Sequence, residues 1–152
     1  MKKSKMVITD LDDAIANLVK KTDHKTLGIW AADCVIRILP YFEEKHPNDP
    51  RPRQALEALR RWVQTGVFHM VDIRRDSLGA HAAAKGLADD DSARSAAHAA
   101  GQALATAHVS THSLAAAIYA ATAVRDATGS MDAVAKERDW QYQHLIQLQN
   151  SH

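Results

Sequence analysis

The longest uncharged run of the chain lies within residues 92–127, SARSAAHAAGQALATAHVSTHSLAAAIYAATAVRDA. Between Arg94 and Arg125 it runs for 30 residues without a single Asp, Glu, Lys or Arg. That length could cross a bilayer, but three histidines and several Gln, Ser and Thr residues make it a poor membrane segment. We therefore predict one long buried helix over residues 92–127 and expect no membrane association.

The composition of the whole chain agrees with a helical protein. Of 152 residues, 46% are hydrophobic, yet the aromatic residues amount to only 5% and Ala dominates the rest. A chain of this length can bury about 68–70% of its unfolded surface, so it needs neither a disulfide nor a metal to fold. We predict a single domain over residues 1–152, with residues 1–8 as a flexible or weakly ordered N-terminus. Because Ala side chains bury little apolar area per residue, a homodimer, which would bury more, is a reasonable expectation.

The charge balance and the cysteine content exclude some classes of protein and indicate a cellular compartment. Lys and Arg number 19 against 18 Asp and Glu, for a net charge of +1, which excludes a strongly basic nucleic-acid binder. The single Cys34 lies in an apolar run and is predicted to be a core residue. The apolar residues 6–8 are too few for a signal peptide. These features predict a cytoplasmic protein that does not bind nucleic acid.

Helix signals recur along the chain and strand signals do not. A third helix is predicted between a proline-rich loop over residues 46–53 and Gly66. Pro40 is expected to end the second helix near Leu39. A fourth helix is predicted from about Phe68 to residue 88. Starts of the helices are predicted near Thr9, Asp23, Asp49, Phe68, Ser92 and Ser130, and Gly129 is expected to end the helix before Ser130. The fold class is therefore all-α, a single-domain helical bundle or orthogonal array of six to seven helices with an Ala-rich core.

The histidines of the long helix form a pattern of their own. If residues 92–127 make one helix, one stripe of its surface carries His98, His108, His112 and Tyr119. A stripe of large apolar residues runs beside it. Because no charge interrupts either stripe, both are expected to be buried or to face a cavity. We predict these four residues as the binding residues of the protein.

The same histidines could hold a metal ion. His108 and His112 have the one-turn spacing that lets two imidazoles chelate one metal, and His69 or His81 on the fourth helix could supply a third ligand. The HExxH motif is absent, because Val, Ser and Thr occupy positions 109–111. Packing histidines, with their nitrogens hydrogen-bonded to neighbouring polar groups, are the favoured interpretation. No metal or other cofactor is therefore expected.

Other catalytic patterns are missing from the sequence. The chain contains no Gly-x-Ser-x-Gly elbow, Gly-rich phosphate loop or Cys-x-x-Cys pair, so a binding protein is favoured over an enzyme. Arginines between Arg51 and Arg75 could form a basic patch. Glu57, Asp72 and Asp76 interleave with them, however, and local salt bridges are the simpler interpretation.

Six segments together resemble a known family. They are WAADC (30–34), ILPYFE (38–43), HPNDPRPR (46–53), AHV with HSLAAAIYA (107–109 and 112–120) and ERDWQ (137–141). From about residue 24 to residue 146 the chain resembles the immunity-five-like family of small helical bacterial immunity proteins. The resemblance implies an all-α, non-enzymatic cytoplasmic protein that binds and neutralises a cognate toxin. It supplies no binding residues.

Two alternatives come from other classes of protein. One is a metal-binding helical bundle resembling the damage-inducible DinB-like family, with His108, His112 and either His69 or His81 as ligands. The other is a structural helical dimer. Immunity proteins against basic nucleases are often acidic, because charge complementarity speeds association, so the net charge of +1 argues against a nuclease as the toxin.

Overall fold

The computed structural model describes residues 6–151, which form eight α-helices and no β-strand. In chain order the helices are α1 (Asp12–Lys20), α2 (His24–Ile36), α3 (Pro40–Glu43), α4 (Arg51–Thr65), α5 (Met70–Ala83), α6 (Ser92–Ala105), α7 (His112–Thr128) and α8 (Met131–Asn150). The predicted all-α class is confirmed. The described residues contain more helices than the six to seven expected, because one predicted helix is split and Pro40 begins a short helix of its own.

The predicted single helix over residues 92–127 is wrong. It is interrupted at residues 106–111, which form turns between α6 and α7. Val109, Ser110 and Thr111 are weak helix formers, because branched and hydroxylated side chains favour other backbone conformations. Ser113 Oγ donates to the carbonyl oxygen of Ser110 at 2.8 Å, which stabilises the turn. The chain therefore reverses, and α6 and α7 pack against each other more extensively than any other pair of described helices.

Helix α6 lies at the centre of the fold, in contact with α2, α3, α4, α5 and α7. Ten of its 14 residues are buried, and six of those ten are Ala. Because an Ala side chain is a single methyl group, several helices can approach the α6 backbone at once. The predicted Ala-rich core is confirmed, and burial inside the protein explains why α6 carries no charged residue after Arg94. None of the helices within residues 6–151 combines the length and the apolarity needed to cross a membrane.

The ends of several helices follow the predicted capping residues. Asp23 accepts a hydrogen bond from the backbone N–H of Thr26 at the start of α2, and Ser130 caps α8 in the same way. Gly66 and Gly129 end α4 and α7 in the left-handed conformation, with φ of 69° and 65°. Local sequence signals therefore set these four boundaries.

Two other boundaries differ from the prediction. Helix α2 ends at Ile36 rather than near Leu39, and Pro40 stands at the first position of α3, where its missing N–H costs nothing. Helix α5 covers Met70–Ala83, shorter than the predicted span of residues 68–88. The chain beyond α5 turns through Gly86, whose φ is +85°.

The predicted weakly ordered N-terminus over residues 1–8 falls partly outside the described residues, since residues 1–5 are not described. Within the described part, Val7 is buried in the core, and its N–H donates to Thr122 Oγ1 at 3.2 Å. Cys34 is also buried, as predicted, under α1 and α8. The N-terminal segment is therefore anchored to α7 from Val7 onward.

Candidate functional site

Two histidines from different helices meet at the α5–α6 interface. The Nδ1 atoms of His81 on α5 and His98 on α6 lie 2.6 Å apart, and the ring centroids are 4.9 Å apart. A neutral imidazole has one donor and one acceptor nitrogen, so one Nδ1 donates while the other accepts. The ring of His98 also contacts Tyr119 on α7, with 5.3 Å between ring centroids. These contacts join three helices through partly buried polar rings.

Gly101 makes room for this pair. A Cβ atom at Gly101 would lie 2.6 Å from Nε2 of His81, so the imidazole occupies the space that any other side chain would need. One turn earlier on α5, Ser77 Oγ donates to the carbonyl oxygen of Gly101 at 2.9 Å. The missing side chain of Gly101 therefore allows α5 to sit on α6 with a histidine between the two helices.

Burial keeps both histidines neutral. Burial lowers the pKa of His98 to about 4, with further lowering by the neighbouring His81 and Arg94. Burial also lowers the pKa of His81, and the nearby His112 adds to this effect. At neutral pH the pair therefore shares one Nδ1 proton and carries no charge.

The structure brings together three of the four predicted binding residues, by a different route from the one expected. On a single helix, His98 and Tyr119 would stand about 30 Å apart along the axis; here they touch because α7 folds back on α6. His112 lies close by, with its Nδ1 2.7 Å from Oε1 of Gln102 on α6. We name His81, His98, Gln102, His112 and Tyr119 the histidine cluster. Its role in binding stays a prediction.

The fourth predicted binding residue lies elsewhere. His108 is exposed in the turn after α6 and stacks on Phe68, with 5.9 Å between ring centroids. Of the two expected alternatives, burial is wrong for His108, because α6 ends at Ala105; the residue instead lines an open groove beside α5.

The metal-binding alternative needs three ligands in one place. Within residues 6–151, no group of three His, Cys, Asp or Glu side chains is arranged so that it could hold a metal ion. His108 stacks on Phe68, His112 contacts Gln102, and His81 contacts His98. The fourth candidate ligand, His69, is exposed before α5. The predicted ligand set is therefore not assembled.

A second candidate site is an exposed apolar surface. Nine large apolar residues are exposed in the described chain, and six of them lie on the α4–α5 loop, on α5 or in the α6–α7 turn. We name five of these the apolar face; they are Phe68, Met70, Val71, Leu78 and Val109. This surface was not predicted from the sequence. The sequence did contain a signal for it: Met70, Val71 and Leu78 lie among the arginines of α5, where a solvent-exposed helix face is normally polar.

The arginines near this face are mostly paired, as the interleaved acids predicted. Arg75 contacts both Asp72 and Asp76, at 3.3 Å and 3.2 Å. Arg60 contacts Glu57 at 3.2 Å. The expected local salt bridges are confirmed at these positions, and they leave few free cations on α4 and α5.

Comparison with known proteins supplies a family. A family model described as "Imm-5 like putative immunity protein" matches residues 17–148. A search of curated proteins and a search of solved structures each give no match. Because the match covers most of the chain, including the histidine cluster and the apolar face, the chain belongs to the Imm-5 like family of immunity proteins.

Proposed function

We propose that this chain is the non-catalytic partner of a bacterial toxin, which it binds and neutralises in the cytoplasm. The family to which the chain belongs supports this role. A neutralising partner needs an accessible surface with apolar area to bury, and the apolar face supplies one.

The main structural support for the proposal is the exposure of the apolar face. Leu78 and Val71 are 58% and 78% exposed, and they lie two turns apart on the same side of α5. Exposed apolar residues are common singly, but a concentration of them on one helix and its flanking loops marks an interaction surface. Covering them with another protein removes apolar area from water, which is the main driving force of association.

The charge pattern supports a protein partner rather than a nucleic acid. The phosphate backbone binds Lys and Arg side chains that are free to neutralise it. On α4 and α5, Arg60 and Arg75 are already paired with carboxylates. The buried free thiol of Cys34 is compatible with the reducing cytoplasm that the proposal requires.

Co-expression tests the proposal. Each candidate toxin gene next to the gene for this chain would be expressed alone and together with it, with an empty vector and an unrelated toxin as controls. We expect restored growth with one adjacent toxin only, and co-elution of the two proteins in a fixed ratio. Loss of growth with every adjacent toxin despite soluble expression of this chain would overturn the proposal.

A further inference from the structure

An open groove lies between α5 and the C-terminal end of α6. It has a volume of about 320 Å³, and its floor is formed by Ile73, Ser77 and Ala105. Ala105 projects only a methyl group, and Ser77 is held down by its hydrogen bond to the carbonyl oxygen of Gly101. Small side chains on both helices therefore leave a trough that the protein does not fill.

The rim of the groove combines two apolar side chains with an arginine and a histidine. Met70, Arg74 and Leu78 follow one another at four-residue spacing along α5, so they stand on one side of that helix, and His108 lies on the opposite rim. Met70 and Leu78 are 40% and 58% exposed. A segment laid into the groove would cover both residues and would meet Arg74 between them.

Arg74 is a cation without a partner in the described part of the chain. Among residues 6–151 its guanidinium group makes no hydrogen bond and no ion pair, and no carboxylate lines the groove. Its neighbour Arg75 differs, because it is held by Asp72 and Asp76. A guanidinium group forms its strongest contacts with carboxylates, often through two parallel hydrogen bonds. The complementary occupant is therefore apolar on one side and carries an acidic side chain.

From this arrangement we propose that the groove receives an amphipathic segment of the toxin, with apolar side chains against Met70 and Leu78 and a carboxylate paired with Arg74. This inference rests on the proposed function. An amphipathic helix suits a trough between two helices, because its side chains at three- and four-residue spacing enter the trough from one face.

A second copy of this chain fits the groove less well. In a two-fold dimer the same surface meets itself, so Arg74 would need an acid from the same face of the partner copy. No carboxylate lines the groove, and Asp72 and Asp76 lie on a different side of α5, where Arg75 engages both. The charge pattern therefore favours a different, acidic partner.

Binding measurements on matched variants test the inference. The probe is the catalytically inactivated toxin domain from the adjacent gene, titrated by calorimetry against the full chain. We expect Leu78→Asp and Arg74→Glu each to weaken binding about tenfold or more. The matched controls lie on α8. Met131→Asp replaces an apolar residue that is 53% exposed, and Lys136→Glu reverses an exposed charge; both should bind like the unaltered chain.

A reciprocal exchange tests the ion pair itself. Replacing the contacting acid of the toxin with Arg should restore binding to the Arg74→Glu variant and not to the Leu78→Asp variant. Circular dichroism checks that each variant is folded, which the exposure of both side chains favours.

The failures can be told apart. If the unaltered chain and the control variants all fail to bind, the proposed function falls and the inference with it. If the unaltered chain binds and the groove variants bind equally well, the inference alone is wrong. If the unaltered chain sediments as a dimer that Leu78→Asp converts to a monomer, the groove belongs to a second copy and the inference is overturned.

Discussion

His81 and His98 face each other across the α5–α6 interface with their Nδ1 atoms 2.6 Å apart. This contact can form only while at least one of the two rings is unprotonated, because two imidazolium rings would present a donor to a donor. The geometry therefore makes the packing of α5 on α6 dependent on proton concentration.

We predict that the protein loses stability as the pH falls from about 7 to about 4. In the unfolded chain, His98 takes up a proton near pH 6.5, whereas in the folded protein its pKa is about 4. Between these values the unfolded state binds more protons, so the free energy of unfolding falls with pH. Because the ring is only half-buried and solvent screens it, we expect a loss of about 1 kcal/mol between pH 7 and pH 5.

Urea denaturation at several pH values, compared with the His98→Gln variant, measures this effect. The variant should show a flatter pH dependence over the same interval, because the carboxylates titrate in both proteins and cancel in the comparison. Equal slopes for the two proteins would contradict the assignment of the effect to His98.

Gly101→Ala should destabilise the protein even though Ala is the better helix former. The new Cβ would lie 2.6 Å from Nε2 of His81, so the ring must leave its contact with His98. Overpacking costs about 1–3 kcal/mol, offset by about 1 kcal/mol of helix propensity. We expect a net loss of about 1 kcal/mol in chemical denaturation.

A double-mutant cycle makes the cause of that loss testable. In a His81→Ala background the space over residue 101 is empty, so Gly101→Ala should become neutral or stabilising there. Gly79→Ala on α5 is the control, because a Cβ at Gly79 meets no other atom within 4 Å and should stabilise by about 0.5–1 kcal/mol. Strictly additive effects of the substitutions at positions 81 and 101 would show that the ring is not the obstacle.

Some helix boundaries could be predicted from the sequence and others could not. Capping residues such as Asp23 and Gly129 act locally, so their positions predict the helix ends. The break before His112 has no Pro or Gly to mark it, and the Ala-rich pattern continues on both sides. Whether such a stretch stays straight depends on what it packs against, which a single sequence does not contain.

The histidine cluster was predictable only in part. His98, His112 and Tyr119 were singled out because they interrupt an uncharged helical stretch. Their contact with His81 depends on the way α5 crosses Gly101. One signal was present, since a Gly inside an Ala-rich helix costs about 1 kcal/mol relative to Ala and is expected where another group approaches the backbone.

His108→Ala should change stability little. The ring is exposed and contacts Phe68 on the surface, so we expect a loss within about 0.5 kcal/mol. His98→Ala should cost about 1–3 kcal/mol, because it leaves His81 without its hydrogen-bond partner in a partly buried site. Thermal or urea denaturation of the two variants side by side checks the order, and a larger loss for His108→Ala would contradict the placement of that residue.

Arg138 on α8 should be among the most sensitive positions for folding. Its side chain is 1% exposed; it donates to Asp12 Oδ1 at 2.8 Å and to Gln141 Oε1 at 2.9 Å. Gln141 in turn donates to the carbonyl oxygen of Ala117 on α7, so the guanidinium group connects α1, α7 and α8.

We predict that Arg138→Met, which keeps the aliphatic length of the side chain, lowers the free energy of unfolding by about 2–3 kcal/mol. Breaking a buried pair costs about 3–5 kcal/mol, and the 30% exposure of the Asp12 side chain reduces the cost, because water can solvate the carboxylate left behind.

Lys136→Met, at an exposed position on the same helix, should stay within about 0.5 kcal/mol. Adding Asp12→Asn to Arg138→Met should recover part of the loss, since the remaining cost is that of an unpaired charge. Urea denaturation of the four proteins decides the matter: an Arg138→Met variant as stable as the unaltered chain would mean that the buried guanidinium group contributes nothing to holding α1 against α8.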